Sequence, residues 1–129
     1  MLAREKARIV EPAILIRINQ LYRAGMAPIE LYDATRGVWK LGRRREGARL
    51  ALAVYGGLVQ EVYEIKGWYP AGSTLSTRPP ENLQDPTRCE FVGNLAPSTI
   101  RRKYLNKSVV HYFDPPTQSP VIYVNVPER

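Results

Sequence analysis

The stretch Leu50-Ala-Leu-Ala-Val-Tyr55-Gly56-Gly57-Leu58-Val-Gln-Glu-Val-Tyr-Glu-Ile65 decides the fold. Two apolar runs flank a Gly-Gly pair, and glycine takes φ > 0 at consecutive positions without steric cost. That pattern specifies a β-hairpin with a type I′ turn. An unbroken ladder places Tyr55 opposite Leu58, Ala53 opposite Gln60, Ala51 opposite Val62 and Arg49 opposite Glu64. On the other face it pairs Val54 with Val59, Leu52 with Glu61 and Leu50 with Tyr63. Both faces are mostly apolar, so both need cover, which a curved sheet or small barrel would provide.

On the N-terminal side, Met1–Val10 reads as a mixed-charge arm in which Ala3, Ala7 and Val10 recur at helical spacing. The arm ends at Pro12, and Ala13–Ile18 reads as a short strand. Pro28 suits the first helical position, where its missing N–H costs nothing, and Glu30 and Asp33 favour the positive helix start. Gly37 ends that helix near Arg36. The basic loop Gly37–Arg45 has the glycine spacing of a phosphate-binding P-loop. It lacks the lysine and hydroxyl residue that such a loop requires after the second glycine, so it is not one.

On the C-terminal side, Gly67-Trp68-Tyr69-Pro70 is expected to leave the second strand and open a long proline-rich loop over 70–88. Cys89–Gly93 reads as another strand. Pro97-Ser98-Thr99 precedes a helix that buries Ile100, Tyr104 and Leu105, and Asn106 suits a left-handed residue after it. Ser108 caps a brief turn through Phe113, and Val121–Val126 is the last strand. The expectation is one α+β domain over residues 1–129, a small, strongly bent sheet or β-barrel with two or three short helices.

The 129 residues include nineteen Lys plus Arg against twelve Asp plus Glu, a net charge of +7. That excess is concentrated. Arg36, Lys40, Arg43, Arg44, Arg45 and Arg49 share their stretch with one acid, Glu46; Arg101, Arg102, Lys103 and Lys107 share theirs with none. The remainder sums to −2. Clustered cations suit a polyanion, because each one that neutralises a phosphate also releases counterions. Arginine adds planar, bidentate phosphate recognition. Trp39, Trp68, Tyr69, Tyr104 and Tyr112 lie in or near these stretches, and nucleobases stack on aromatic faces. Trp68, at the mouth of a loop, is favoured for ligand contact over Tyr104 and Tyr63, which read as core.

A single cysteine, Cys89, excludes an internal disulfide and fits a reducing, cytoplasmic setting. With one Cys and one His, no all-Cys/His zinc site is expected, and no cofactor is implied. Pro12–Ile16 is too short to span a bilayer or form a signal-peptide core, so no membrane partner is expected. His111, with Lys107 and Tyr112, is the candidate acid–base group.

Leu31–Gly37, Trp39, Arg44-Arg45, Ala53–Tyr55, Gly57, Val59, Val62-Tyr63 and Trp68 resemble a family of small uncharacterised bacterial proteins, as do Tyr104–Phe113 and Pro120–Asn125. The element order and the hairpin-end tryptophan also resemble PUA-like domains, the ASCH, EVE, YTH and SRA group. The resemblance implies a bent barrel holding a modified or flipped base. Trp39 and Trp68 would stack the base, Arg43, Arg44 and Arg45 would take phosphates, and Asn94 or Asn125 would read base edges. The leading expectation is a nucleic-acid-binding module, DNA or RNA, using Arg36, Trp39, Lys40, Arg43, Arg44, Arg45, Trp68, Tyr69, Arg101, Arg102 and Lys107. The alternatives are a metal-independent nuclease or nucleotide-processing enzyme using His111, and a small-ligand-binding regulatory domain.

Overall fold

A computed structural model describes residues 4–128. Its strands are β1 (Ala13–Arg17), β2 (Leu50–Tyr55), β3 (Leu58–Pro70), β4 (Cys89–Leu95) and β5 (Val121–Val124), and its helices are α1 (Pro28–Arg36) and α2 (Ser98–Tyr104). The strands form one mixed sheet in the order β4-β3-β2-β1-β5, with β1 and β2 parallel and every other pair antiparallel. The domain is α+β, and the sheet stays open at β4 and β5 instead of closing into a barrel.

The demand for cover on both faces is met by other means. Ile14, Ile16, Ala51, Ala53, Tyr63 and Phe91 form one core, overlaid by Leu31 and Tyr32 of α1 and by Trp39 and Leu41. Leu15, Leu52, Val54, Val59 and Val62 form the other, under Ile100 and Tyr104 of α2 and Ala7 and Ile9 of the arm. Each fully buried aliphatic side chain contributes roughly 1.5–3 kcal/mol. Two helical layers thus do what barrel closure would have done.

The hairpin forms at Gly56-Gly57, with φ of 59° and 76°, but its ladder is not continuous. A bulge at Gln60 leaves Tyr55↔Leu58 and Val54↔Val59 as expected, then shifts the pairing to Ala53↔Glu61, Leu52↔Val62 and Ala51↔Tyr63. The Gln60 amide donates to the Tyr55 and Leu58 carbonyls, each at 3.3 Å, and so satisfies groups at the tip. The extra residue puts Val59 and Val62 in the same core while Tyr63 joins the other. Arg49 still reaches Glu64, at 3.6 Å.

Three further expectations change. The arm is extended rather than helical over its described part: Lys6 bridges Ser108 and alternate residues Ala7 and Ile9 are buried. Ala3 lies outside the described residues. Trp68, Tyr69 and Pro70 remain in β3, which runs on through Pro70 and pairs with β4 to its last residue. Gly93 makes that pairing possible, because a Cβ there would strike the Glu64 carbonyl oxygen. Leu105 follows the end of α2 and is only half-buried. Pro28 does start α1, and Asn106 is left-handed at φ 64°. No helix among the described residues is long and apolar enough to cross a membrane.

Candidate functional site

The two basic stretches do not make one surface. Residues 36–45 lie on the Phe91 side of the sheet and α2 covers the opposite side. On α2 and just beyond it, most of the charge is already answered. Arg101 Nε and Nη2 donate to both oxygens of Glu61, at 2.7 and 3.0 Å. Lys103 reaches Glu11 at 2.8 Å and Lys107 reaches Glu5 at 3.6 Å. The Glu61 hydrogen bonds raise the Arg101 pKa, and the Glu11 bond raises that of Lys103. Among the described residues Arg102 has only the Ser98 carbonyl.

In the first stretch the arginines have separate fates. Arg36 is not a phosphate ligand: it is 3% exposed and pairs with Asp33 at 2.8 Å and Glu90 at 3.3 Å. The same carboxylates accept from the backbone N–H groups of Gly72, Thr74 and Thr77, at 2.7, 3.0 and 2.8 Å, while Arg36 donates to the Leu75 carbonyl. A buried ionic cluster therefore fastens the proline-rich segment to α1 and β4. Arg44 donates to the Val126 carbonyl and stacks over Tyr123; Arg45 donates to the Leu41 and Gly42 carbonyls. Lys40 and Arg43 are exposed, without an ion pair among the described residues.

Trp68 is partly buried against the core, with its ring edge-on to Phe91 at 5.5 Å and its buried N–H without a partner among the described residues. Tyr69 is 46% exposed. Asn94 is exposed, whereas Asn125 donates to the Ile9 and Glu11 carbonyls. The proposed acid–base group is a set of arm fasteners: Lys107 takes Glu5, His111 Nε2 donates to the Ala7 carbonyl at 3.0 Å, and Tyr112 Oη accepts from the Ile9 N–H at 2.8 Å. They hold alternate residues of one extended segment and line neither of the two clefts described here and below. Cys89 is buried, its thiol donating to the Trp39 carbonyl and its pKa raised by burial.

Trp39 is the one sequence-derived candidate that opens onto a cleft. Its backbone exchanges two hydrogen bonds with Cys89 at the β4 edge, and its indole N–H donates to the Thr35 carbonyl at 2.7 Å. The ring is thereby fixed at the wall of a cleft of about 660 Å³, between the carboxyl end of β1 and the turn after α1. Arg17, Asn19, Arg78, Thr117 and Gln118 also line it, and among the described residues no carboxylate does. Arg17 donates to the Thr117 carbonyl at 2.6 Å and to the Ser119 carbonyl, and lies over Phe113. Arg78 donates to the Gly37 carbonyl at 2.6 Å. Burial pushes the Arg78 guanidinium below its usual range, against the pull of Asp33 and Glu90. Among the described residues neither arginine has an acidic group within 4 Å.

Set beside protein-family models, curated proteins and solved structures, the chain matches none. Its chemistry is therefore argued from its own residues. Sequence reasoning missed Arg17 and Arg78, which stand outside both basic stretches. The available signal was an arginine ending an otherwise apolar strand, and one inside a long loop rich in turn residues.

Proposed function

We propose that this chain is a nucleic-acid-binding module that takes one nucleotide of a single strand into the Trp39 cleft. One observation carries the reading: among the described residues, two arginines without acidic partners share a cleft with a fixed tryptophan, and no carboxylate lines it. Guanidinium groups recognise phosphate oxygens through paired N–H donors, and a base stacked on an aromatic ring gains roughly 1–3 kcal/mol. The cleft falls in the range of about 300–1,000 Å³ usual for small-ligand sites. Thr117, Asn19 and Gln118 supply groups that could hydrogen-bond base edges. The basic track is one-sided in this reading, with Lys40 and Arg43 beyond the cleft and α2 taking no part.

The test is fluorescence titration of a Trp68→Phe variant, in which Trp39 is the remaining tryptophan. Single-stranded oligonucleotides should quench it, with affinity falling as salt rises by a slope of about −0.7 per phosphate neutralised. Trp39→Ala should weaken binding by roughly tenfold or more. Unchanged fluorescence at saturating oligonucleotide, or salt-independent binding, would sink the proposal. Binding of a free mononucleotide with no response to oligonucleotides would assign the cleft to a small-ligand regulatory domain instead.

A further inference from the structure

We infer that the cleft is one of two adjoining subsites, so that the smallest complete ligand is a dinucleotide step; this rests on the nucleic-acid reading above. A second cavity of about 240 Å³ opens beside the first, at the hairpin tip. The two have Arg17 and Asn19 in common. The smaller one is otherwise lined by Val54, the Gly56-Gly57 backbone, Val110 and Phe113, again without a carboxylate.

The chemistry of the shared wall fits what joins two nucleotides. Arg17 is anchored through Nη2 alone, by the Thr117 and Ser119 carbonyls, and its guanidinium lies 4.5 Å from the centre of the Phe113 ring. Its other N–H groups donate to no protein atom among the described residues, leaving them for a phosphate between the cavities. The larger cavity offers Trp39 and Arg78 and accepts a base with its own phosphate. The smaller one is below the size of a whole small-molecule site and has an apolar wall, which suits one planar base.

The hairpin geometry that makes the second cavity is specific. Gly57 has φ 76°, and a Cβ there would come within 2.5 Å of Val110 Cγ2. A side chain at this position would fill the space as well as strain the turn. Val110, by contrast, is 61% exposed and tolerates a larger side chain without disturbing the core. It is the position from which the small cavity can be blocked.

The experiment measures binding of thymidine monophosphate, the thymidylate dinucleotide and a longer oligothymidylate to the wild-type chain, with the uridylate series alongside. The dinucleotide should bind at least about tenfold tighter than the monophosphate, the gain of one additional stacked base. Val110→Trp should erase that gain and leave monophosphate affinity unchanged. Equal affinity for monophosphate and dinucleotide, with monophosphate binding intact, overturns the two-subsite inference and spares the single-nucleotide reading. A gain that survives Val110→Trp also overturns it. If none of the ligands binds, both readings fall.

Discussion

Residues 36–45 sit against the face of the sheet that carries Ile14, Ile16 and Phe91, while α2 rides over the face that carries Leu15, Leu52 and Val62. Arg101 and Lys103 of α2, and Lys107 just beyond it, take partners far away in sequence: Glu61 from β3, and Glu11 and Glu5 from the arm. The first stretch instead divides into a buried clasp at Arg36, arginines folded onto carbonyls at Arg44 and Arg45, and exposed groups at Lys40 and Arg43. Equal charge density along a chain therefore does not mean equal potential in space. Charge that meets acids on folding is neutralised in place, whereas charge that meets only carbonyls keeps its positive potential.

The largest effect that separates the two stretches should come from Arg36→Ala. It leaves Asp33 and Glu90 buried without their cation, and breaking such a pair costs about 3–5 kcal/mol. Thermal or urea unfolding should show it; a loss below about 1 kcal/mol would mean that the clasp is not what holds the 72–78 segment. Arg78→Ala comes next, and it should act on binding instead of folding. Oligonucleotide affinity should fall by about tenfold, with a salt slope smaller by roughly one phosphate and nearly unchanged urea stability. If stability falls and affinity does not, Arg78 belongs with Arg36.

The pH dependence sharpens the other side of the comparison. Burial pushes the Glu11 carboxyl up, but hydrogen bonds from Lys103 and Tyr104 outweigh it and hold the group below its ordinary value of 4.5. A carboxyl depressed in the folded state contributes stability that is complete above its unfolded value and lost as pH falls through the folded one. Glu11→Gln should flatten that part of the acid unfolding curve, an effect of up to about 1 kcal/mol. An acid limb identical to wild type would show the contact to be inert. Smallest of all, Arg102→Ala should change stability by less than about 0.5 kcal/mol. It should also leave oligonucleotide affinity unchanged, and a clear loss of affinity would return α2 to the binding surface.

What the sequence made legible was local. Pro28 fixes the start of α1, the Gly56-Gly57 pair fixes the hairpin tip, and Asn106 takes the left-handed residue after α2, each through its own backbone preference. What it concealed depends on distant partners. Arg36 reads as one more cation until Glu90, fifty-four positions later, is brought beside it. Glu90 stands between Cys89 and Phe91, as an outward polar residue would, and only the returning 72–78 segment explains why it is buried. The Gln60 bulge escaped because alternation looked satisfactory in the unbroken register, and both faces were apolar enough to hide a one-residue slip. By sequence Trp39 and Trp68 are both pocket candidates, and Trp68, before the proline-rich loop, is the favoured one. The fold separates them by placing Trp39 at a strand edge beside a cleft and Trp68 within β3, edge-on to Phe91.

The place of β1 has a kinetic consequence. It pairs with β2 on one side and β5 on the other, so Ala13 meets Val124 and Ile16 meets Val121. During synthesis one side of β1, fully apolar from Ala13 to Ile16, must wait unpaired until β5, more than a hundred residues later, has emerged. Loop closures of this length slow folding, because their entropy is lost before any contact rewards it. The hairpin at Gly56-Gly57 closes locally and gives β1 its first neighbour, which makes it the natural nucleus. Until β5 arrives, the unpaired edge of β1 offers its backbone groups to another chain.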